Sequence, residues 1–214
     1  MSQFSKPNWF TTLLLVLAVT GCGGSSSPKT GLRVINAVLD SAPFQISNGS
    51  ENISLGFAEI SEIIPVNNKE PVSIKAQDGN FSFNLILTGE ENSPLMLLYG
   101  SSSISGTKAK LLEHSDIKLH SGQAAVRIVN AVENSDEFKL LLNNAAVTSS
   151  PFGAPSEFKT VAAGNLKISV TDSLTETTVF SSEIETPEGQ FYTVVLAGEY
   201  NLFFKTVIIK QPTS

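Results

Sequence analysis

A seven-residue segment occurs twice in this chain. Leu32-Arg33-Val34-Ile35-Asn36-Ala37-Val38 returns ninety-four residues later as Val126-Arg127-Ile128-Val129-Asn130-Ala131-Val132, with four positions identical and three exchanging one aliphatic residue for another. A unit that recurs at a fixed spacing buries the same hydrophobic face at each occurrence, so the chain is read as a tandem duplication. In 214 residues this leaves room for two domains, each of about 90 residues and able to fold without staples. The two segments also hold the only arginines; the other twelve basic residues are lysine.

From residue 31 onward, apolar runs of five to eight residues alternate with Gly, Pro, Asn, Asp and Ser, the punctuation of strands and turns in a sandwich or barrel. Strands are expected near 31–38, 44–47, 53–58, 61–66, 72–76, 80–87, 94–100 and 108–113. In the second copy they are expected near 124–132, 137–142, 145–148, 157–161, 166–171, 177–184, 191–197 and 201–209. No window carries an apolar stripe of helical period. The expected fold is all-β: two tandem immunoglobulin-like β-sandwich domains, residues 31–120 and 121–214. Phe44 aligns with Phe138 and Ile46 with Leu140; after one inserted residue, Phe57, Ser61, Glu62 and Val66 align with Phe152, Ser156, Glu157 and Val161. Ile74 then falls on Ile168, and Gly100 on Gly198.

Residues 1–21 read as a signal peptide, with Lys6 as the positive flank and an apolar stretch from Trp9 to Val19 that is too short for a membrane span of roughly 20 residues. The following Leu17-Ala18-Val19-Thr20-Gly21-Cys22 resembles the bacterial lipoprotein signal. That resemblance implies cleavage before Cys22, acylation of its thiol and new amino group, and a membrane partner held through the acyl chains. Gly23 stands where aspartate would retain a Gram-negative lipoprotein at the inner membrane, so the same resemblance implies the outer membrane. Residues 22–30 form the acylated cysteine and a Gly/Ser tether. With one cysteine no intramolecular disulfide is possible. A net charge of −6 without a Lys/Arg cluster argues against nucleic acid.

A second resemblance covers residues 31–214. It is carried by Leu32–Val38 with Asp40-Ser41-Ala42-Pro43-Phe44-Gln45-Ile46, by Phe152-Gly153-Ala154-Pro155-Ser156, and by Tyr192-Thr193-Val194-Val195-Leu196-Ala197-Gly198. These resemble a bacterial family of secreted and cell-surface β-domains catalogued as a domain of unknown function. Its members often occur in tandem behind a lipoprotein or secretion signal. The second copy departs by reading Asn134-Ser135-Asp136-Glu137 in place of the Asp-x-Ala-Pro turn. The resemblance implies a fold and brings no activity.

Arginine retained twice in a lysine-rich chain suggests that its planar fork matters. Glu62 and Glu157 are the one aligned carboxylate pair, so Arg33–Glu62 and Arg127–Glu157 are expected as bidentate bridges. Alternatively the forks cap backbone carbonyls at a sheet edge, or bind a ligand. Asn36 and Asn130 are expected to end the first strand of each copy, bonding the local backbone.

No cofactor or metal is expected. His114 and His120, six residues apart, are too far separated along a strand to share a metal, even with Glu113 and Asp116 nearby. No Gly-x-Ser-x-Gly is present. Gly100–Lys108 has the look of a phosphate loop, but five residues separate its glycines and Thr107 stands where lysine is required; a hairpin is expected. Glu133, Asp136 and Glu137 lack the pattern of a calcium loop and read as a solvated turn. Tyr99 and Tyr192 read as core, leaving Tyr200 as the exposed aromatic. The expected function is a non-catalytic envelope lipoprotein with a structural or protein-interaction role and an envelope protein partner. The alternatives are a carbohydrate- or small-ligand-binding module, tested at Tyr200, and a hydrolase with two carboxyl groups about 5–9.5 Å apart.

Overall fold

The structure, a computed structural model, describes residues 31–49, 51–66, 70–87, 94–113 and 116–211. The expected signal peptide and tether, Cys22 between them, and His114 lie outside the described residues. Every regular element described is a strand. In the first half these are β1 (Gly31–Leu39), β2 (Phe44–Ser47), β3 (Asn52–Leu55), β4 (Glu59–Ile60), β5 (Ile64–Pro65), β6 (Val72–Ala76), β7 (Ser82–Leu85), β8 (Leu95–Ser101) and β9 (Gly106–Leu112). In the second they are β10 (Gln123–Glu133), β11 (Glu137–Leu142), β12 (Ala145–Pro151), β13 (Lys159–Ala162), β14 (Gly164–Asp172), β15 (Thr178–Thr186), β16 (Phe191–Glu199) and β17 (Phe203–Gln211).

Each half is a β-sandwich. One sheet has the order β4–β1–β8–β9, with β5 also on β1, and faces β3–β2–β6–β7; the second half repeats this as β13–β10–β16–β17 over β12–β11–β14–β15. The duplicated segment forms β1 and β10, which run parallel to β8 and β16 at the sheet centres. That parallel pair departs from the antiparallel sheets of the immunoglobulin pattern.

Of the strand expected over 61–66 only β5, Ile64–Pro65, forms, with β4 just ahead of it at Glu59–Ile60, and the gap between them has a side-chain reason. Between them Ser61 accepts the Val34 N–H on its hydroxyl at 2.9 Å while its own N–H donates to the Val34 carbonyl at 2.8 Å. Ser156 does the same to Ile128, at 3.1 and 2.8 Å. A hydroxyl has replaced one rung of the backbone ladder. The alignment of Ile74 with Ile168 is corrected by two residues: Ile46 pairs with Ile74, whereas Leu140 pairs with Val170. A slip of two keeps the same face of the strand, so the apolar pattern matches equally well either way.

Three cores result. One gathers Leu32, Val34, Phe44, Ile46, Ile74, Met96 and Leu98 inside the first sandwich, and a second gathers Val126, Ile128, Phe138, Leu140, Ile168, Val194 and Leu196 inside the second. The third lies between the halves and comprises Ile35, Ala37, Leu95, Leu97, Leu112, Val129, Ala131, Val195, Ala197 and Ile209. The molecule is therefore four sheets deep, with the sheets of β1 and β10 stacked at the centre. Alternate residues along each central strand serve the two interiors: Leu32, Val34 and Val38 face the sandwich, Ile35 and Ala37 face the other half. The seven larger side chains of the seam contribute on the order of 10 kcal/mol of gross transfer free energy.

Within the seam the central strands of both halves run in the same sense. Arg33, early in β1, meets the end of β17, and Ser105, after β8, meets Glu133 at the end of β10. The starts of β1 and β10 thus share one pole, called here the entry pole. The β8–β9 and β16–β17 hairpins share the other, the tip pole.

Candidate functional site

The seam is built reciprocally. Arg33 Nη1 donates to the Lys210 carbonyl at 3.1 Å, and Arg127 Nη1 donates to the Glu113 carbonyl at 3.1 Å. These are one contact made twice. Arg33 and Arg127 pair with Leu95 and Thr193, which pair in turn with Leu112 and Ile209, the residues just before Glu113 and Lys210. The arginine of each half therefore crosses to the end of the last strand of the other half. The expected bridges to Glu62 and Glu157 are not formed: among the described residues no arginine ion pair lies within 4.0 Å, and Glu157 pairs with Lys159 at 3.1 Å. The forks take backbone carbonyls, the alternative stated above, and those bonded by Nη1 belong to the opposite half.

The two arginines differ in their surroundings. Arg33 is half-buried, its Nε reaching the Ser61 carbonyl at 3.4 Å. Burial lowers its pKa and the nearby Glu62 carboxylate offsets part of that. Arg127 is 4% exposed. Its Nε donates to Thr193 Oγ1 at 3.0 Å, and its guanidinium lies 4.4 Å from the centre of the Phe158 ring. Burial alone pushes its pKa down to about 10, a desolvation penalty on the order of 3 kcal/mol. Among the described residues its Nη2, which is closed to solvent, has no hydrogen-bond partner.

Aromatic contacts repeat the same symmetry. Phe57 meets Phe203 edge-on at 5.9 Å with Lys205 Nζ 5.5 Å from its ring, and Phe152 meets Tyr99 at 5.7 Å with Lys108 Nζ at 5.3 Å. Tyr99 thus belongs to the seam and not to a sandwich interior. Gly153 explains the close fit: at φ 72° it occupies the left-handed region, and a Cβ there would strike the Tyr99 ring.

Asn36 and Asn130 do not end their strands. Both are fully buried mid-strand, each accepting the N–H two residues on, Val38 and Val132, at 3.0 Å. At the tip pole, desolvation works against the charge of Asp40, but hydrogen bonds from Ser103, Ser101 and Ser102 outweigh it and hold the carboxyl below its usual range. The serines of the supposed phosphate loop are thereby committed to a carboxylate. Glu133 is buried and accepts from Ser105 Oγ at 2.8 Å, whereas Glu137 accepts from Ser149 Oγ at 2.7 Å. Among the described residues no three Asp, Glu, His or Cys side chains gather at metal distance. His120 is exposed in the turn before β10, its N–H donating to the Gln123 side chain.

Tyr192 is buried in the second core. Tyr200 is half-buried against Phe138, with ring centres 6.5 Å apart, and its hydroxyl donates to Asp172, which raises its pKa. It is the wall of a recess rather than the exposed platform expected. That recess, about 400 Å³, is also lined by Thr175, Thr178, Asn201 and Phe204. A second cleft of about 370 Å³ opens in the seam at the entry pole, between Lys110–Glu113 of the first half and Arg127 with Pro155–Phe158 of the second. Sequence reasoning missed it, because its walls come from different halves of the chain.

The large apolar side chains exposed among the described residues are confined to the poles. Ile63, Ile86 and Ile117 lie at the entry pole; Ile104, Leu174, Leu202 and Phe203 lie on hairpins at the tip pole. Leu174 and Leu202 are 75% and 71% exposed.

Residues 124–214 match a family described as a domain of unknown function (DUF4397). No curated protein matches the chain.

Proposed function

We propose that this chain is a non-catalytic, lipid-anchored envelope protein, acylated at Cys22. In this reading it holds a rigid two-repeat block off an outer membrane and offers the tip pole to a protein partner. Residues 31–120 are read as a second copy of the domain matched at 124–214, because strand order, the buried serines and the crossing arginines recur in both halves. The observation that carries the reading is the exposed apolar set on hairpins at the end away from Gly31, where the tether enters. Apolar side chains fixed on tight turns are a common means of protein recognition. Asp40, Asp136 and Glu176, exposed at the same end, disfavour an anionic bilayer as the surface met there.

A photo-crosslinker at Leu202 in cells should capture one partner band that a crosslinker at Glu183, on the exposed flank, does not; equal capture from both positions contradicts the reading. Palmitate labelling that survives Cys22→Ser defeats the anchor. The recess at Tyr200 favours a second reading, a carbohydrate- or small-ligand-binding module, since a ring face, threonine hydroxyls and a carboxylate converge there. Binding on a glycan array that Tyr200→Ala abolishes would select it.

A further inference from the structure

The two halves part company at the tip pole. Gly100 and Gly198 align, and two residues past them the first half carries Ser102 and the second Tyr200. Ser102 closes its end: its amide donates to the Asp40 carboxylate at 3.0 Å and its hydroxyl to the Asp40 carbonyl at 2.9 Å. Tyr200 instead walls the recess of about 400 Å³, together with Asp172, Thr175, Val179 and Phe204. Leu174 precedes Thr175 and Leu202 follows Asn201, so the two most exposed large apolar side chains among the described residues stand next to residues that line it. Three carboxylates gather here. Desolvation works against the charge of Asp172, but hydrogen bonds from Tyr200 and from the Thr175 and Leu174 amides, both at 2.7 Å, outweigh it and keep the group ionised. The Tyr200 hydroxyl, whose pKa is raised first by its bond to Asp172, also feels the charge of Asp136. Glu176 lies between Thr175 and Thr177 of the lining, its side chain 82% exposed and Lys139 4.0 Å away. So loose and exposed a pair leaves the local excess of negative charge in place.

We propose that this recess receives a cationic side chain, arginine or lysine, from a protein partner docked on the tip pole. The methylene stem of that side chain lies on Val179 and Phe204, and its charged head rests against the Tyr200 ring beside Asp136 and Glu176. Leu174 and Leu202 take the apolar residues around it. Asp172, whose hydrogen bonds are internal, adds charge from within and needs no direct bond to the guest. A long basic side chain has the composition this opening calls for, an apolar stem with a charged end, and a cation gains on an aromatic face. Arginine among apolar neighbours is also a usual anchor of protein interfaces. This guest deepens the docking reading of the tip pole and rests on it.

The intact chain is titrated at constant ionic strength with the capped tripeptide leucyl-arginyl-leucine, with the same peptide carrying uncharged citrulline in place of arginine, and with chitobiose as a neutral sugar. The amide resonances of Leu174, Thr175 and Asn201 should move along a saturating curve with half-saturation below about 5 mM, while that of Ser102 stays in place. The citrulline peptide should bind at least about fivefold more weakly. Asp136→Asn combined with Glu176→Gln, both at exposed positions, should weaken the arginine peptide roughly threefold or more, and Glu183→Gln on the flank should leave it unchanged. Shifts that do not saturate, equal binding of the citrulline peptide, indifference to the two neutralised carboxylates, or saturation by chitobiose and not by the peptide would each overturn the proposal. Failure of the peptide while a crosslinker at Leu202 still captures its partner sinks this guest alone. Peptide binding without capture at Leu202 sinks the docking reading and this partner with it.

Discussion

Arg127 and Arg33 make the same bond to the opposite half but not at the same depth. The first has a carbonyl, a hydroxyl and an aromatic face around a buried fork; the second rests on two carbonyls at a half-open edge. Lysine keeps the charge of either but loses the planar stack and the second donor. Arg127→Lys should therefore lower unfolding stability by about 1–3 kcal/mol and Arg33→Lys by less than about 1 kcal/mol. Equal urea midpoints for the two variants would contradict this assignment. The need for a fork was legible in the sequence, because arginine recurs among lysines. Its acceptor was not, since a backbone carbonyl has no sequence signature and the aligned glutamates supplied a false one.

At the scale of elements, most strands were legible because Gly, Asn, Asp and Pro bracket them, and β2, β6 and β11 begin and end where expected. What escaped was the interruption at Ser61 and Ser156, where a side chain enters the ladder, and the two-residue slip of β6 against β14. The β8–β9 hairpin shows a related device, with Asp40 gripping its serines from the β1–β2 turn. Because the Asp40 carboxyl is held below its usual value, its stabilising effect is full above the unfolded value of about 3.9 and is lost as pH falls through the lower folded one. The Ser102 amide resonance should accordingly keep its hydrogen-bonded position down to about pH 4 and shift only under more acid conditions. Asp40→Asn should abolish that titration. A midpoint at or above the ordinary aspartate value would show that the grip is not what the geometry implies.

At the scale of the whole molecule, the decisive feature is that the central sheets are buried on both faces. The sequence carried a signal for this. Phe44-Gln45-Ile46-Ser47 alternates, as a strand with one wet face should, whereas Leu95-Met96-Leu97-Leu98 and Val194-Val195-Leu196-Ala197 are continuous apolar runs. The recurring segment accounts for two sandwich interiors; the unbroken runs call for a third, shared one. That seam turns two domains into one block with distinct poles, and it is the premise of the tip-pole docking surface. It is tested most directly by introducing a charge into the seam from one side, as Ile35→Asp, and following denaturant-dependent amide exchange in β11 and β14, which do not touch that residue's own sandwich. Coupling through the seam predicts that the second half's midpoint falls together with the first; a second half that unfolds at its wild-type midpoint would show that the two halves stand independently.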